Sequence, residues 1–148
     1  MSELIRTIRY EELTELLRLY KFLQPGDPEL INDNVLKELW SEIYNDPNLH
    51  YLGLEVGGKL VSSCTLAIIK NLTRKARPYG LIENVITHPE YRKKGYSTKV
   101  LHHALDVARA NNCYKVMLLT GSKQEKTLKF YENAGFVRGI KTGFIAHL

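Results

Sequence analysis

The sequence contains little cysteine and no long apolar segment. Only two of its 148 residues are cysteine, Cys64 and Cys113. Two cysteines are too few for a disulfide framework, and they favour free thiols in a reducing compartment. No apolar run approaches the length of a membrane-spanning helix, and the polar start of the chain lacks the apolar core of a signal peptide. These absences predict a soluble cytoplasmic protein without a membrane partner.

The chain also lacks internal repeats, low-complexity tracts and interdomain linkers. With 148 residues, of which 44% are hydrophobic, it is predicted to form a single domain over residues 1–148. A formal net charge of +5 suits an anionic partner without identifying it. No ligand spacing resembles a zinc site, so we expect no metal. No nucleic-acid-binding motif is present, so we expect no nucleic-acid partner.

Hydrophobic periodicity predicts alternating strands and helices, and therefore a mixed α/β domain. Strand patterns occupy residues 4–9, 51–56, 60–69, 80–87, 114–120, 136–140 and 143–147. Helical patterns occupy residues 11–22, 29–44, 124–134 and a stretch that follows Ser97 and reaches about residue 111. Gly57 and Gly58 join two of the strands and predict a tight hairpin.

The segment from Glu90 to Ser97 lies between a predicted strand and an amphipathic helix. It places three basic residues and Gly95 directly before the helix. The first amides of a helix have no intrahelical partner, and the helix dipole adds partial positive charge there. Such a turn can bind an anionic group through its backbone. The sequence therefore predicts a diphosphate site.

Two motifs resemble those of the GNAT acetyltransferase superfamily. Arg92-x-x-Gly95-x-Ser97 resembles its acyl-CoA signature, with Ser97 in place of the usual final Gly or Ala. Residues 129–136, Lys-Phe-Tyr-Glu-Asn-Ala-Gly-Phe, resemble the later motif, in which a short helix carries a tyrosine and ends at a glycine. The motifs occur in the family's order, and the resemblance is strongest over residues 81–144.

The resemblance implies a fold and an activity. The implied fold is a central, mixed, mostly antiparallel sheet of about six or seven strands, flanked by about four helices, with strands 4 and 5 splayed. The implied activity is direct transfer of the acetyl group of acetyl-CoA to a primary amine of a small molecule. Ile82-Glu83-Asn84-Val85 looks most like glucosamine-6-phosphate N-acetyltransferases, which are homodimers, although Asn84 stands where those enzymes have aspartate. We therefore expect a homodimer.

The resemblance also assigns the cofactor contacts. The strand before the turn is expected to present its main chain to the pantetheine arm, and the turn and the helix start to hold the diphosphate. Gln124 keeps an amide that could bond the pantetheine. The predicted cofactor-binding residues are Val85, Ile86, Thr87, Arg92, Lys93, Lys94, Gly95, Tyr96, Ser97, Thr98 and Gln124.

Two residues are candidates for catalysis. By resemblance, the Tyr131 hydroxyl protonates the departing thiolate of CoA, whereas the ordinary role of such a tyrosine is core packing. Glu83 is a charged residue within an apolar strand and is the candidate base for the acceptor amine. A structural ion pair or an exposed position would explain Glu83 equally well. Neither cysteine matches a nucleophile motif, so an acyl-cysteine intermediate is not expected.

The acceptor stays open at this point. Amino sugars, amino acids, peptide termini and aminoglycosides are all compatible with the sequence. The basic loop of Arg74, Lys75 and Arg77 could receive an acceptor phosphate, although basic loops are commonly only solvated. A non-catalytic acyl-CoA sensor would carry the same turn and is the alternative to an enzyme.

Overall fold

The computed structural model describes all residues 1–148 and contains five strands and four helices. The strands are β1 (Glu3–Thr7), β2 (Leu49–Val56), β3 (Lys59–Ile69), β4 (Tyr79–Thr87) and β5 (Val116–Leu118). The helices are α1 (Leu13–Leu23), α2 (Asn34–Asn45), α3 (Tyr96–Ala110) and α4 (Glu125–Asn133). The chain divides into two compact units, Met1–Met117 and Leu118–Leu148. None of the helices combines the length and apolar character needed to cross a bilayer.

The strands form one sheet in the order β1-β2-β3-β4-β5, and the first four are antiparallel to their neighbours. Gly57 and Gly58 adopt φ angles of 56° and 85°, which confirms the predicted hairpin between β2 and β3. α3 connects β4 to β5, as the crossover between parallel strands requires. The predicted fold class, a mixed and mostly antiparallel sheet with four helices, is confirmed.

β4 is interrupted by a bulge. Thr65 lies opposite Glu83 and Ser63 opposite Ile86, so the partner strand uses one residue fewer over this stretch. Asn84 absorbs the extra residue with a φ of 55°, in the left-handed region. β5 has only three residues and therefore spans about 10 Å, against about 30 Å for β4. The later part of β4 thus extends beyond β5, and the splay of the two strands stays a prediction.

Each face of the sheet is covered by helices. On one face α1 and α2 contribute Leu16, Leu19 and Trp40 to a core cluster with Ile8, Leu60 and Ile86. On the other face α3 buries its apolar side, as its helical spacing predicts; the buried residues are Val100, Leu101, Ala104 and Ala108. Adjacent residues of β4 point to opposite faces, so Ile86 packs towards α1 and Thr87 points towards α3.

α2 begins later than its hydrophobic pattern predicts. The prediction starts the helix at residue 29, but the first helical residue is Asn34. The Asp33 carboxylate accepts a 3.0 Å hydrogen bond from the Leu36 amide and caps the helix there. Residues 24–33 instead form an irregular segment between α1 and α2.

The strand count is five rather than six or seven. Residues 136–140 and 143–147 form no regular strand, although short apolar runs such as Phe136-Val137 and Phe144-Ile145 favour one. Val137, Ile140, Phe144 and Ile145 are all largely exposed. A strand also needs a neighbouring strand and a core face, and an isolated hairpin is at best marginally stable. The prediction of these two strands is wrong.

Arg6 ties β1 to β2 and to the turn before α1. Its guanidinium donates two hydrogen bonds to Glu12, at 2.7 and 2.9 Å, and contacts Glu55 at 2.7 Å. The Arg9 amide also donates to Glu12 at 2.7 Å. The hydrogen bonds from Arg6, followed by the one from Arg9, lower the pKa of Glu12 against the opposing effect of burial.

We expect this network to make the stability of the fold depend on pH. Because the folded-state pKa of Glu12 is lowered, its contribution is complete above the unfolded pKa of about 4.5 and is lost as the pH falls below it. Glu12→Gln should reduce the free energy of unfolding at pH 7 by about 2 kcal/mol and flatten its decline in acid. Urea unfolding between pH 7 and pH 3 measures both effects. A decline in Glu12→Gln as steep as in the unmodified chain would contradict this role.

Candidate active site

The loop between β4 and α3 has an unusual backbone. A short 3-10 turn, Pro89–Tyr91, follows β4, and the His88 imidazole accepts the Glu90 amide at 3.2 Å. Lys93 and Gly95 then adopt φ angles of 62° and 79°, both in the left-handed region. Glycine takes this conformation without strain, whereas lysine does so at a cost. These two residues turn the chain sharply into the start of α3.

The N-terminus of α3 has no side-chain cap. Gly95 is the N-cap residue and has no side chain to offer. The first helical hydrogen bond runs from the Lys99 amide to the Gly95 carbonyl at 3.1 Å. The amides at and after Gly95, of Tyr96, Ser97 and Thr98, precede that bond and form the unpaired end of the helix. This end is suited to bind an anion such as a diphosphate.

The charges around this helix end are positive. Lys93 and Lys94 are exposed, and no ion pair of the chain includes either of them. The Lys94 ammonium lies 5.6 Å from the centre of the Tyr91 ring. Lys99 is instead paired with Glu3 of β1. Lys93 and Lys94 therefore remain the candidates for long-range attraction of an anionic ligand.

The side chains of two predicted cofactor-binding residues, Arg92 and Ser97, form hydrogen bonds within the protein and so hold the loop in place. The Arg92 Nε atom donates to the Thr87 carbonyl at 3.2 Å, and the Ser97 hydroxyl is hydrogen-bonded to the Thr87 hydroxyl. The middle of the loop and the start of α3 are thus both bound to the last residue of β4. A direct contact of the Arg92 or Ser97 side chain with the cofactor stays a prediction.

The β4 bulge reduces the number of strand residues whose main chain is available to bind the cofactor. The Ile86 carbonyl already accepts from the Ser62 hydroxyl at 3.2 Å, and the Thr87 carbonyl accepts from Arg92. Asn84 and Val85 lie within the bulge and have no register partner on β3. Of the three predicted strand residues, Val85 is therefore the one whose main chain is best placed to bind a ligand.

Glu83 is exposed and lies opposite Thr65. In a regular strand Glu83 would share a face with Val85, two residues later, but the bulge shifts the alternation. Glu83 and Ile86 share a face, since their partners Thr65 and Ser63 are two residues apart. Glu83 makes no ion pair, so the structural ion pair that would have explained it is absent.

Tyr20 of α1 reaches this same part of the sheet. Its hydroxyl lies near Thr65 and Asn84, yet neither the Tyr20 nor the Thr65 hydroxyl makes a hydrogen bond of normal geometry. Burial raises the pKa of the Tyr20 phenol, so it stays protonated. Buried hydroxyls without protein partners commonly bind ordered water. The sequence did not reveal this position of Tyr20, because its polar neighbours are distant in sequence.

A cavity of about 360 Å³ lies between α1 and residues 24–36. Its apolar lining consists of Leu13, Leu17, Pro28, Leu30 and Leu36, and Tyr20 also lines it. Charged residues line it as well: Arg18, Lys21, Asp27 and Glu29. Because Tyr20 belongs both to the cavity and to the surroundings of Asn84, the cavity adjoins the bulged part of β4. A volume of this order suits a small molecule.

The second unit contains the other two predicted site residues. Gln124 is the N-cap residue of α4, but its side chain makes no capping hydrogen bond. Tyr131 is half-buried on α4, with its ring 5.0 Å from Phe130 and 6.4 Å from Phe136. Gly135, with a φ of 107°, follows the end of the helix as the motif predicts. The roles of Gln124 and Tyr131 stay predictions.

The cysteines are poorly suited to nucleophilic chemistry. Burial raises the pKa of Cys64 to about 12, and burial also raises the pKa of Cys113. A thiol rather than a thiolate is therefore the dominant form of both at neutral pH. No group of three or more His, Cys, Asp or Glu side chains is arranged to hold a metal ion.

Gly95→Ala tests the helix end as the anion site. An added Cβ would meet no protein atom within 4 Å, so its cost in the free protein is the strained φ alone, about 1–2 kcal/mol. We expect the affinity for acetyl-CoA in calorimetric titration to fall at least about tenfold, which corresponds to about 1.4 kcal/mol of binding free energy. Gly58→Ala is the matched control, since Gly58 also has a positive φ and open surroundings. Equal affinity of the two variants would refute the assignment.

Comparison with known proteins supports one family. The model of the acetyltransferase (GNAT) family matches residues 10–136. The solved structure of a presumed acetyltransferase from Agrobacterium tumefaciens is 41% identical and has a TM-score of 0.92, covering 98% of this chain and 99% of that chain. The predicted fold class and enzyme class are both consistent with these matches.

Curated relatives of two kinds are similar to the chain. Glucosamine 6-phosphate N-acetyltransferase of Trypanosoma brucei brucei is 38% identical over 79 residues, which cover 53% of this chain and 52% of that protein. N-alpha-acetyltransferase 30 of Xenopus laevis is 28% identical over 139 residues, which cover 93% of this chain and 48% of that protein. The chain thus spans about half the length of these relatives. Because the family model spans most of the sequence, the chain belongs to the GNAT acetyltransferase family.

Proposed function

We propose that the chain transfers the acetyl group of acetyl-CoA directly to the primary amine of a small molecule. The observation that carries this proposal is the uncapped N-terminus of α3, which is joined to the bulged strand β4 by one short loop. Members of the GNAT family use acetyl-CoA. In the proposed complex the amides from Gly95 to Thr98 hold the diphosphate, and Val85 aligns the pantetheine.

Glu83 is the proposed base for the amine. An ammonium ion has no lone pair, so the acceptor must lose a proton before it attacks the thioester. Glu83 is unpaired and lies opposite Thr65, next to the bulge. The Tyr20 and Thr65 hydroxyls are suited to hold a water molecule that carries the proton from the amine towards Glu83. The amine then attacks the acetyl carbonyl carbon, and the bond from that carbon to sulfur breaks. CoA leaves as a thiolate that takes its proton from the Tyr131 hydroxyl, and the proton that the attacking nitrogen loses restores the phenol through solvent.

The acceptor is proposed to bind in the cavity beside α1. Leucine and proline side chains form much of its wall, while Arg18 and Asp27 contribute opposite charges without pairing with each other. The other two charged residues of the lining, Lys21 and Glu29, form an ion pair with each other. Apolar walls with one unpaired cation and one unpaired anion suit an amino acid better than an amino-sugar phosphate. Arg77 of the basic loop is engaged elsewhere, since it donates to the Asn112 and Cys113 carbonyls.

A peptide amino terminus is the second candidate acceptor. It is favoured by the similarity to N-alpha-acetyltransferase 30, which covers 93% of this chain. A peptide terminus would place its first side chain against the same leucines and leave the rest of the peptide outside. The homodimer and the cytoplasmic location expected from the sequence stay predictions.

The function is tested by release of free CoA thiol from acetyl-CoA over a panel of amines. The panel contains amino acids with aliphatic side chains, short peptides with free amino termini, glucosamine 6-phosphate and an aminoglycoside. We expect acetylated product with amino acids above all. Strong binding of acetyl-CoA without release of thiol for any amine would favour the sensor alternative.

Glu83→Gln should lower turnover most at pH values where the acceptor is protonated. The deficit should shrink as the pH approaches the pKa of the amine, because a neutral amine needs no base. Glu42→Gln, at an exposed carboxylate of α2, is the matched control. Full activity of Glu83→Gln at every pH would remove Glu83 from the mechanism.

Tyr131→Phe should lower kcat about a hundredfold, the lower part of the range for general acid catalysis. The affinity for acetyl-CoA should hardly change, because the hydroxyl acts on the leaving thiolate and not on the bound cofactor. Tyr79→Phe, at the other end of β4, is the matched control. An unchanged kcat would leave Tyr131 a packing residue.

A further inference from the structure

Three hydroxyl groups form a hydrogen-bonded chain between the sheet and α3. Ser62 lies on β3, Thr87 ends β4, and Ser97 is the second residue of α3. The Ser62 and Thr87 hydroxyls are 2.7 Å apart, and the Thr87 hydroxyl is in turn bonded to that of Ser97. Ser62 and Thr87 are almost fully buried, with 0% and 6% exposure.

The donor and the acceptor of each hydrogen bond follow from the buried end of the hydroxyl chain, at Ser62. The Ser62 hydroxyl donates to the Ile86 carbonyl, which can only accept. A hydroxyl has a single proton, so Ser62 must accept from Thr87, and Thr87 must accept from Ser97. The proton of Ser97 therefore points towards the sheet. The Ser97 side chain is not a donor for a phosphate oxygen, although its backbone amide stays at the helix end.

The same residue, Thr87, holds the loop from both sides. Its hydroxyl binds Ser97 beyond the loop, and its carbonyl binds Arg92 within the loop. Between these two attachments lie Lys93 and Gly95, whose left-handed backbone sets the direction of α3. Lys93 in particular is held in a conformation that is unfavourable for a residue with a side chain.

We propose that the Ser62–Thr87–Ser97 hydroxyl chain fixes the first turn of α3 in the geometry that binds the cofactor diphosphate. This inference rests on the proposed function, because it assumes that acetyl-CoA binds at this helix end. Thr87 and Ser97 are positioning residues, which act through the backbone amides. Ser97 therefore replaces the usual glycine or alanine of the motif by contributing a bond to the sheet.

The test compares two acetyl donors that differ in the diphosphate. Ser97→Ala should lower kcat/KM for acetyl-CoA by about tenfold, the effect of one lost hydrogen bond in a buried chain. The loss of kcat/KM for acetyl-pantetheine, which has no diphosphate, should be several-fold smaller. Thr87→Val should also lower kcat/KM for acetyl-CoA. Thr87→Ser, which keeps the hydroxyl, should retain most of the kcat/KM of the unmodified chain.

Non-additivity gives a second criterion. Because Ser97 acts through Thr87, the double variant of Ser97→Ala with Thr87→Val should be little worse than Thr87→Val alone. Ser63→Ala is the matched control, since Ser63 is equally buried on β3 but its hydroxyl has no partner. Thermal unfolding of every variant separates a loss of folding from a loss of cofactor selectivity.

The outcomes distinguish the inference from the function on which it rests. An unmodified chain that binds no CoA in calorimetric titration would overturn the proposed function, and the inference with it. An active chain in which Ser97→Ala matches Ser63→Ala for acetyl-CoA would overturn the inference alone. Equal losses for acetyl-CoA and acetyl-pantetheine would also overturn it, because they would indicate general damage to the fold.

Discussion

The attachment of α3 to the end of β4 is the constraint on which the proposed site depends. A helix end attracts an anion only if its first amides converge on one point and no side chain occupies them. Thr87 makes the amides converge, because it binds Arg92 and Ser97 on the two sides of the turn. Gly95 leaves these amides unoccupied, since it has no side chain to cap the helix. Neither the Lys93 nor the Lys94 side chain forms an ion pair, so both are free to attract the ligand.

The bulge at Asn84 provides the other part of the proposed site, the main chain of β4 that would bind the pantetheine arm. It removes Asn84 and Val85 from the ladder with β3, while the short β5 leaves the later part of β4 without a neighbour on its other side. Main chain that is unpaired on both sides can bind a ligand in the place of a strand. Most of the rate acceleration expected here would then come from positioning the thioester against the amine.

The sequence predicts those parts of the fold that depend on local signals. The Gly57-Gly58 hairpin, the helix end at Gly135 and the glycine turn before α3 each follow from residues adjacent in sequence. The bulge could not be predicted, because it depends on the pairing of Glu83 and Ile86 with a distant strand, and it moved Glu83 to the other face from Val85. The strands predicted after Phe136 failed for a related reason, since an apolar run in the sequence does not supply a partner strand. The roles of Tyr20 and Thr87 were also hidden, because their neighbours come from other elements.

The crystal structure of the chain bound to acetyl-CoA is the most direct test of the account. The account predicts the diphosphate oxygens within hydrogen-bond distance of the amides between Gly95 and Thr98, with the acetyl group beside Val85 and Asn84. It also predicts that the Ser97 hydroxyl stays bonded to Thr87 in the complex. A diphosphate bound elsewhere, with the start of α3 left in contact with solvent alone, would contradict it.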